Sequence, residues 1–128
     1  MEVTYAFWNN KGGTGKTSLA FQAITRYAEK HPERRVLAVD LCPQANLSEL
    51  MLGGLGYKGS EKLLKRQGQV PRCSIGGYFQ LRLPSPYVPP QFDAHDFITK
   101  PSGYNAALPA NIDLVCGDPL LELQANAA

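Results

Sequence analysis

Val3-Thr4-Tyr5-Ala6-Phe7-Trp8-Asn9-Asn10-Lys11-Gly12-Gly13-Thr14-Gly15-Lys16-Thr17-Ser18 is the stretch that decides the fold. Val3 to Trp8 is rich in β-branched and aromatic residues and has no polar face. Such a run reads as a buried strand of the kind found inside parallel sheets. Asn9 to Gly15 follows as a glycine-rich turn. From Lys16 the period changes, because Leu19, Ala20, Ala23, Ile24, Tyr27 and Ala28 recur at helical spacing. The helix is expected to stop near His31, since Pro32 disfavours helical geometry in the residue before it. Val36 to Val39 reads as a second short buried strand that ends at Asp40. Strand, helix and strand within about 40 residues predict a βαβ unit and an α/β fold with a parallel sheet.

The turn lies where phosphate chemistry needs it. Glycines let the backbone turn and approach an anion without side-chain interference. Successive N–H groups then form an anion-binding nest, reinforced by the positive end of the following helix. Lys11, Gly12, Gly13, Thr14, Gly15, Lys16, Thr17 and Ser18 are therefore the predicted nucleotide-binding residues. Lys16 is expected at the β- and γ-phosphates and the Thr17 hydroxyl at Mg²⁺. The competing reading is a strand-to-helix turn with no ligand, which the Gly-Lys-Thr at the helix start disfavours.

Away from this unit the signals weaken. Asn46 with Glu49 resembles a capping box for a short helix that Gly53-Gly54 would stop. Ser60 is the expected cap of another helix running to about Arg66. The stretch 67–109 holds most of the prolines, with Pro84, Pro86, Pro89 and Pro90 close together, and is read as irregular. Ile112 to Cys116 is the expected third strand, and Pro119 to Ala125 the start of a helix.

The chain has 128 residues and a formal net charge of +2, too small to announce a nucleic-acid partner by itself. The charge is uneven: residues 57–82 carry six basic side chains and one acidic, whereas residues 83–128 carry one basic and five acidic. The basic block (Lys58, Lys62, Lys65, Arg66, Arg72, Arg82) is read first as a solvated face, with contact to phosphate, DNA or an acidic partner as the alternative. Cys42, Cys73 and Cys116 have neither metal-ligand spacing nor a disulfide pattern, which fits a reducing cytosol. No secretory signal and no membrane span are expected.

The loop departs from the general pattern G-x-x-x-x-G-K-[ST], whose first glycine falls on Asn10, and matches the deviant form K-G-G-x-G-K-T-[ST] instead. Here the chain resembles the ParA/MinD family of partition and positioning ATPases, and ParA most closely. The resemblance rests on Asn9 to Ser18 and on Val39-Asp40-Leu41-Cys42-Pro43-Gln44-Ala45-Asn46, and more weakly on Asn111 to Leu123. It implies a partial P-loop NTPase fold, with three strands expected. It implies a chain that is the N-terminal portion of a single ATPase domain: 1–56 the nucleotide-binding βαβ unit, 67–109 irregular, 110–128 the third strand and the start of a helix. It also implies ATP and Mg²⁺ as cofactors. Lys11 and Asp40 would be the catalytic residues, Lys11 crossing a sandwich dimer to the partner's phosphates. Thr17 and Asp40 would hold the metal, Asp40 through water, unless Asp40 merely caps a turn.

Cys42 stands where the family has a second aspartate associated with the attacking water. A thiol supplies neither that charge nor the paired acceptor oxygens, so hydrolysis is expected to be slow. The Walker B strand, the adenine-reading segment and the basic C-terminal helices of the family are not seen, which makes turnover by this chain doubtful. The implied function is plasmid or chromosome partition by an ATP-dependent dimer on DNA, in the cytoplasm and on the nucleoid. Its partners would be a second copy, a centromere-binding partition protein and non-specific DNA, with no membrane. The alternatives are a non-hydrolysing nucleotide-gated scaffold, motivated by Cys42, and a MinD-like positioning ATPase.

Overall fold

The computed structural model describes residues 14–82 and 94–120. The expected strand Val3–Trp8, the loop residues Lys11, Gly12 and Gly13, the cluster Pro84–Pro90 and most of the expected helix beyond Pro119 lie outside the described residues.

The first helix, α1 (Thr14–Lys30), starts two residues ahead of the expected Lys16 and ends one before His31. Its buried stripe is Ala20 and Ala28 with the half-buried Phe21, Ile24 and Tyr27, while Leu19 and Ala23 are exposed. Ala20, Ile24, Tyr27 and Ala28 thus keep their expected places, and Phe21 joins Ile24 against the core in place of Leu19 and Ala23. Strand β1 (Val36–Val39) runs parallel to β2 (Ile112–Val115), with Val36 opposite Ile112 and Val39 opposite Val115. Among the described residues the fold is α/β, a two-stranded parallel sheet flanked by helices. On its far side β2 makes one antiparallel bridge, Leu114 to Thr99.

The connection from β1 to β2 carries α2 (Asn46–Met51), α3 (Gly59–Gln67) and α4 (Ile75–Arg82). The core lies on one face of the sheet, where Ala38, Leu114 and Cys116 meet Met51, Leu52, Leu63 and Leu108. Strand residues alternate between faces, so Leu37 and Val39 point the other way and are exposed. The expectation of a strand buried on both faces is therefore corrected.

Three further expectations change. α2 is preceded by Ala45 in the left-handed region (φ 56°) and α3 by Lys58 in the same region (φ 58°), and neither makes a side-chain cap. Asn46 and Ser60 are instead in the first turns of their helices. The stretch 67–109, expected to be irregular, contains α4 and two short 3-10 turns, Ala94–Phe97 and Pro101–Gly103. α4 begins at a built cap: the Ser74 hydroxyl accepts the Gly77 amide, and the Ile75 amide bonds the Cys116 carbonyl at the end of β2.

Candidate nucleotide site at the carboxyl end of the sheet

The Asn111 side chain fixes one end of the unit. Its amide nitrogen lies 3.1, 3.1 and 2.8 Å from the carbonyls of Ala28, His31 and Arg34, so it gathers the last turn of α1 and the turn into β1 beside the start of β2. A helix of 17 residues extends about 25 Å. Since α1 ends at the amino end of β1 and packs along the sheet, it starts at the carboxyl end. Thr14 to Ser18 therefore lie at the same end of the unit as Asp40, where ligands of open α/β sheets bind. Thr17 is half-buried and Ser18 exposed there.

Asp40, the first residue after β1, is 4% exposed. One carboxylate oxygen, Oδ1, accepts the Cys42 amide at 3.0 Å; the other, Oδ2, accepts the Ser48 amide at 3.0 Å and the Ser48 hydroxyl at 2.7 Å. Asp40 thus caps α2 from the strand end, the task that the sequence pattern suggested for Asn46. The structure gives Asp40 the turn-capping role weighed against metal binding, and it leaves Oδ1 with one acceptor direction unused among the described residues. That direction suits a hydrogen bond from metal-bound water.

Cys42 is half-buried, and its thiol donates to Gln44 Oε1 at 3.1 Å. It is the third residue past the strand end, and its side chain makes no hydrogen bond to either Asp40 oxygen.

Two neighbouring constellations were not foreseen. Gly117, just beyond β2, donates its amide to Ser48 Oγ at 2.9 Å, and its carbonyl accepts Gln67 Nε2 at 2.9 Å. A Cβ on Gly117 would lie 2.8 Å from the Cys42 carbonyl and 2.9 Å from the Ala45 Cβ, so only glycine lets the two loops touch. The next residue, Asp118, is fully buried and grips Arg72 through both oxygens as well as the Ser74 hydroxyl and the Leu120 amide. Burial pushes its carboxyl upward, but the bonds from Arg72, Ser74 and Leu120 outweigh that and hold it below the usual value. A lone Asp after a strand is the only trace of this network in the sequence.

The basic block of residues 57–82 is not a uniform solvated face. Lys62 donates to the Tyr104 carbonyl, Arg66 bonds Thr99 and Cys73 and stacks over Tyr104, and Arg72 is held by Asp118. Lys58 and Lys65 are the exposed members with described side chains. Cys73 and Cys116, distant in sequence, both approach the Thr99 hydroxyl, at 3.5 and 3.7 Å. Burial pushes the Cys116 thiol up to about 12, so it is a neutral packing group. Among the described residues no three metal-ligating side chains cluster, and no helix is long and apolar enough to cross a membrane.

The chain matches the family model described as the CobQ/CobB/MinD/ParA nucleotide binding domain over residues 5–116. The chain belongs to this family. The match takes in the Lys11–Ser18 loop, Asp40 and β2, which places the three segments in one nucleotide-binding domain of the ParA/MinD superfamily. No curated protein and no solved structure matches the chain.

Proposed function

We propose that the chain is the ATP-binding portion of a ParA-like ATPase that acts in plasmid or chromosome partition. The observation that carries this reading is the family match spanning both the Lys11–Ser18 loop and the buried carboxylate of Asp40. Backbone N–H groups of Gly12 to Thr17 cradle the phosphates, and Lys16 neutralises the β- and γ-phosphates. Thr17 would hold Mg²⁺, with Asp40 helping to hold it through water, and the ion would offset phosphate charge. Lys11 reaches the phosphates of a second copy, so that ATP closes a sandwich dimer. The dimer coats DNA in the cytoplasm and on the nucleoid, and a centromere-binding partner triggers its release.

Cys42 favours a second reading, a nucleotide-gated scaffold that hydrolyses little. Its thiol is engaged with Gln44 and brings no carboxylate to the attacking water. Turnover separates the two, with Cys42→Asp measured alongside: robust wild-type hydrolysis removes the scaffold reading. The family match includes MinD as well as ParA, and Pro43-Gln44 speaks for the ParA side over a MinD-like membrane-site role.

Titration of a fluorescent ATP analogue with Mg²⁺ tests the binding step. Lys16→Ala loses one charge-assisted contact to phosphate, a loss of about 10- to 100-fold in affinity. Lys11→Ala keeps nucleotide binding within a few-fold and loses ATP-dependent dimerisation in sedimentation. Unchanged dimerisation would remove the cross-subunit role of Lys11.

A further inference from the structure

Ser48 is fully buried and has one hydrogen to give and two partners to satisfy. The Gly117 amide, 2.9 Å away, can only donate, and the Asp40 carboxylate, 2.7 Å away, can only accept. The hydroxyl hydrogen is therefore fixed on Asp40 Oδ2. With the Ser48 amide on the same oxygen, both lone-pair directions of Oδ2 are filled. Oδ1 carries the Cys42 amide and nothing else among the described residues. Ser48 thus leaves the open acceptor position of the carboxylate on Oδ1, the oxygen that also accepts the Cys42 amide.

The second strand backs this arrangement. Gly117 is held from behind by Gln67, whose side-chain amide donates to the Gly117 carbonyl. Gln67 is 6% exposed, so this support is itself sheltered from water. The carboxylate at the end of β1 is therefore oriented by a buried chain that starts in α3, crosses the loop after β2 and ends on α2.

We propose that Ser48 is a positioning residue for the metal–nucleotide site: it locks Asp40 so that Oδ1 alone faces the ligand. The inference rests on the nucleotide-binding reading, and it concerns the orientation of Asp40 and not whether the loop holds phosphate. A hydroxyl that served only to stabilise the fold would affect nucleotide with and without Mg²⁺ alike. A positioning hydroxyl affects only the part of the affinity that Mg²⁺ adds.

Affinity for a fluorescent ATP analogue is measured with Mg²⁺ and with EDTA in wild type, Ser48→Ala, Ser48→Cys and Ser48→Thr. Ser48→Ala shrinks the tightening that Mg²⁺ produces by about tenfold and leaves the EDTA value unchanged. Ser48→Thr, which keeps the hydroxyl, retains the wild-type increment. Ser48→Cys keeps the bulk with a weak donor and falls between, so the test stands even if the alanine variant unfolds. In an Asp40→Asn background Ser48→Ala has no further effect. An intact Mg²⁺ increment in Ser48→Ala, or an equal loss in both backgrounds, overturns the proposal.

If wild type binds no nucleotide, the phosphate-loop reading fails, and hydrogen exchange then decides the positioning role by itself. Ser48→Ala frees Asp40 and speeds exchange of the Cys42 amide about tenfold while the later amides of α2 keep their rates. Unchanged Cys42 exchange, or uniform acceleration across α2, overturns it.

Discussion

Asp113 lies in β2 and Asp118 just past its end, and their partners differ in a way that sets their weight. Asp113 is held by Arg35 and Lys100, whose side chains are 78% and 56% exposed, and solvent-screened pairs of this kind contribute about 1 kcal/mol or less. Asp118 is fully buried, and removing its partner Arg72 strands a charge in the interior. Arg72→Met is expected to cost about 3–5 kcal/mol in chemical denaturation, and the double change Arg72→Met with Asp118→Leu to recover most of it. For Asp113, burial raises the carboxyl, but bonds from Arg35 and Lys100 more than offset that, so both carboxyls sit below their usual value in the native state. The unfolded chain then binds more protons in acid, and stability falls as pH falls. The contribution is complete above about pH 4 and is lost as pH drops through the lowered native values. Thermal melting from pH 7 to 2 should show this fall, with Asp118→Asn flattening it far more than Asp113→Asn.

At the scale of elements, what was legible followed from local chemistry. The strand Val36–Val39, the strand from Ile112 and the helix stops at Pro32 and at Gly53-Gly54 depend on neighbours in sequence, and they form as expected. The family was legible as a motif, since Lys11 to Ser18 and Asp40 stand in a recognisable spacing within the matched stretch. The supports around Asp40 were not, because Ser48, Gln67, Gly117 and Asp118 are joined by contacts across 44 to 69 residues. α4 was hidden for a similar reason: Gly76-Gly77 reads as a helix breaker, whereas here the glycines are required by packing. A Cβ on Gly77 would lie 1.9 Å from the Arg72 carbonyl and one on Gly76 2.7 Å from Asp118 Oδ2. A cap serine followed by an apolar residue, Ser74-Ile75, was the one local sign of the helix. Gly77→Ala should therefore destabilise by about 3 kcal/mol, a melting point lower by about 10 °C, although alanine is the better helix former. An unchanged melting point would mean that α4 starts elsewhere.

At the scale of the molecule, the decisive asymmetry among the described residues is that one face of the sheet is covered and the other displays Leu37, Val39 and Leu41 at 59%, 43% and 56% exposure. In a parallel ladder alternate residues bond to the neighbour. Val36 and Asp40 donate to Asn111 and Val115 across to β2, so the N–H and C=O groups of Leu37 and Val39 face away from it. Apolar side chains and outward-facing backbone groups on one strand form a template for another strand. The expected consequence is concentration-dependent association of the chain through β1 in the absence of nucleotide. Sedimentation of wild type should show a weight-average mass that rises with concentration. Leu37→Lys and Leu41→Lys, placed on exposed positions outside the core, should return it to the monomer with little change in melting temperature. The nucleotide-dependent dimer proposed for Lys11 uses the loop and not this strand. The lysine variants therefore separate two kinds of association: they abolish the first and leave the ATP-dependent one standing. If they abolish both, the two surfaces are the same, and the sandwich arrangement fails for this chain.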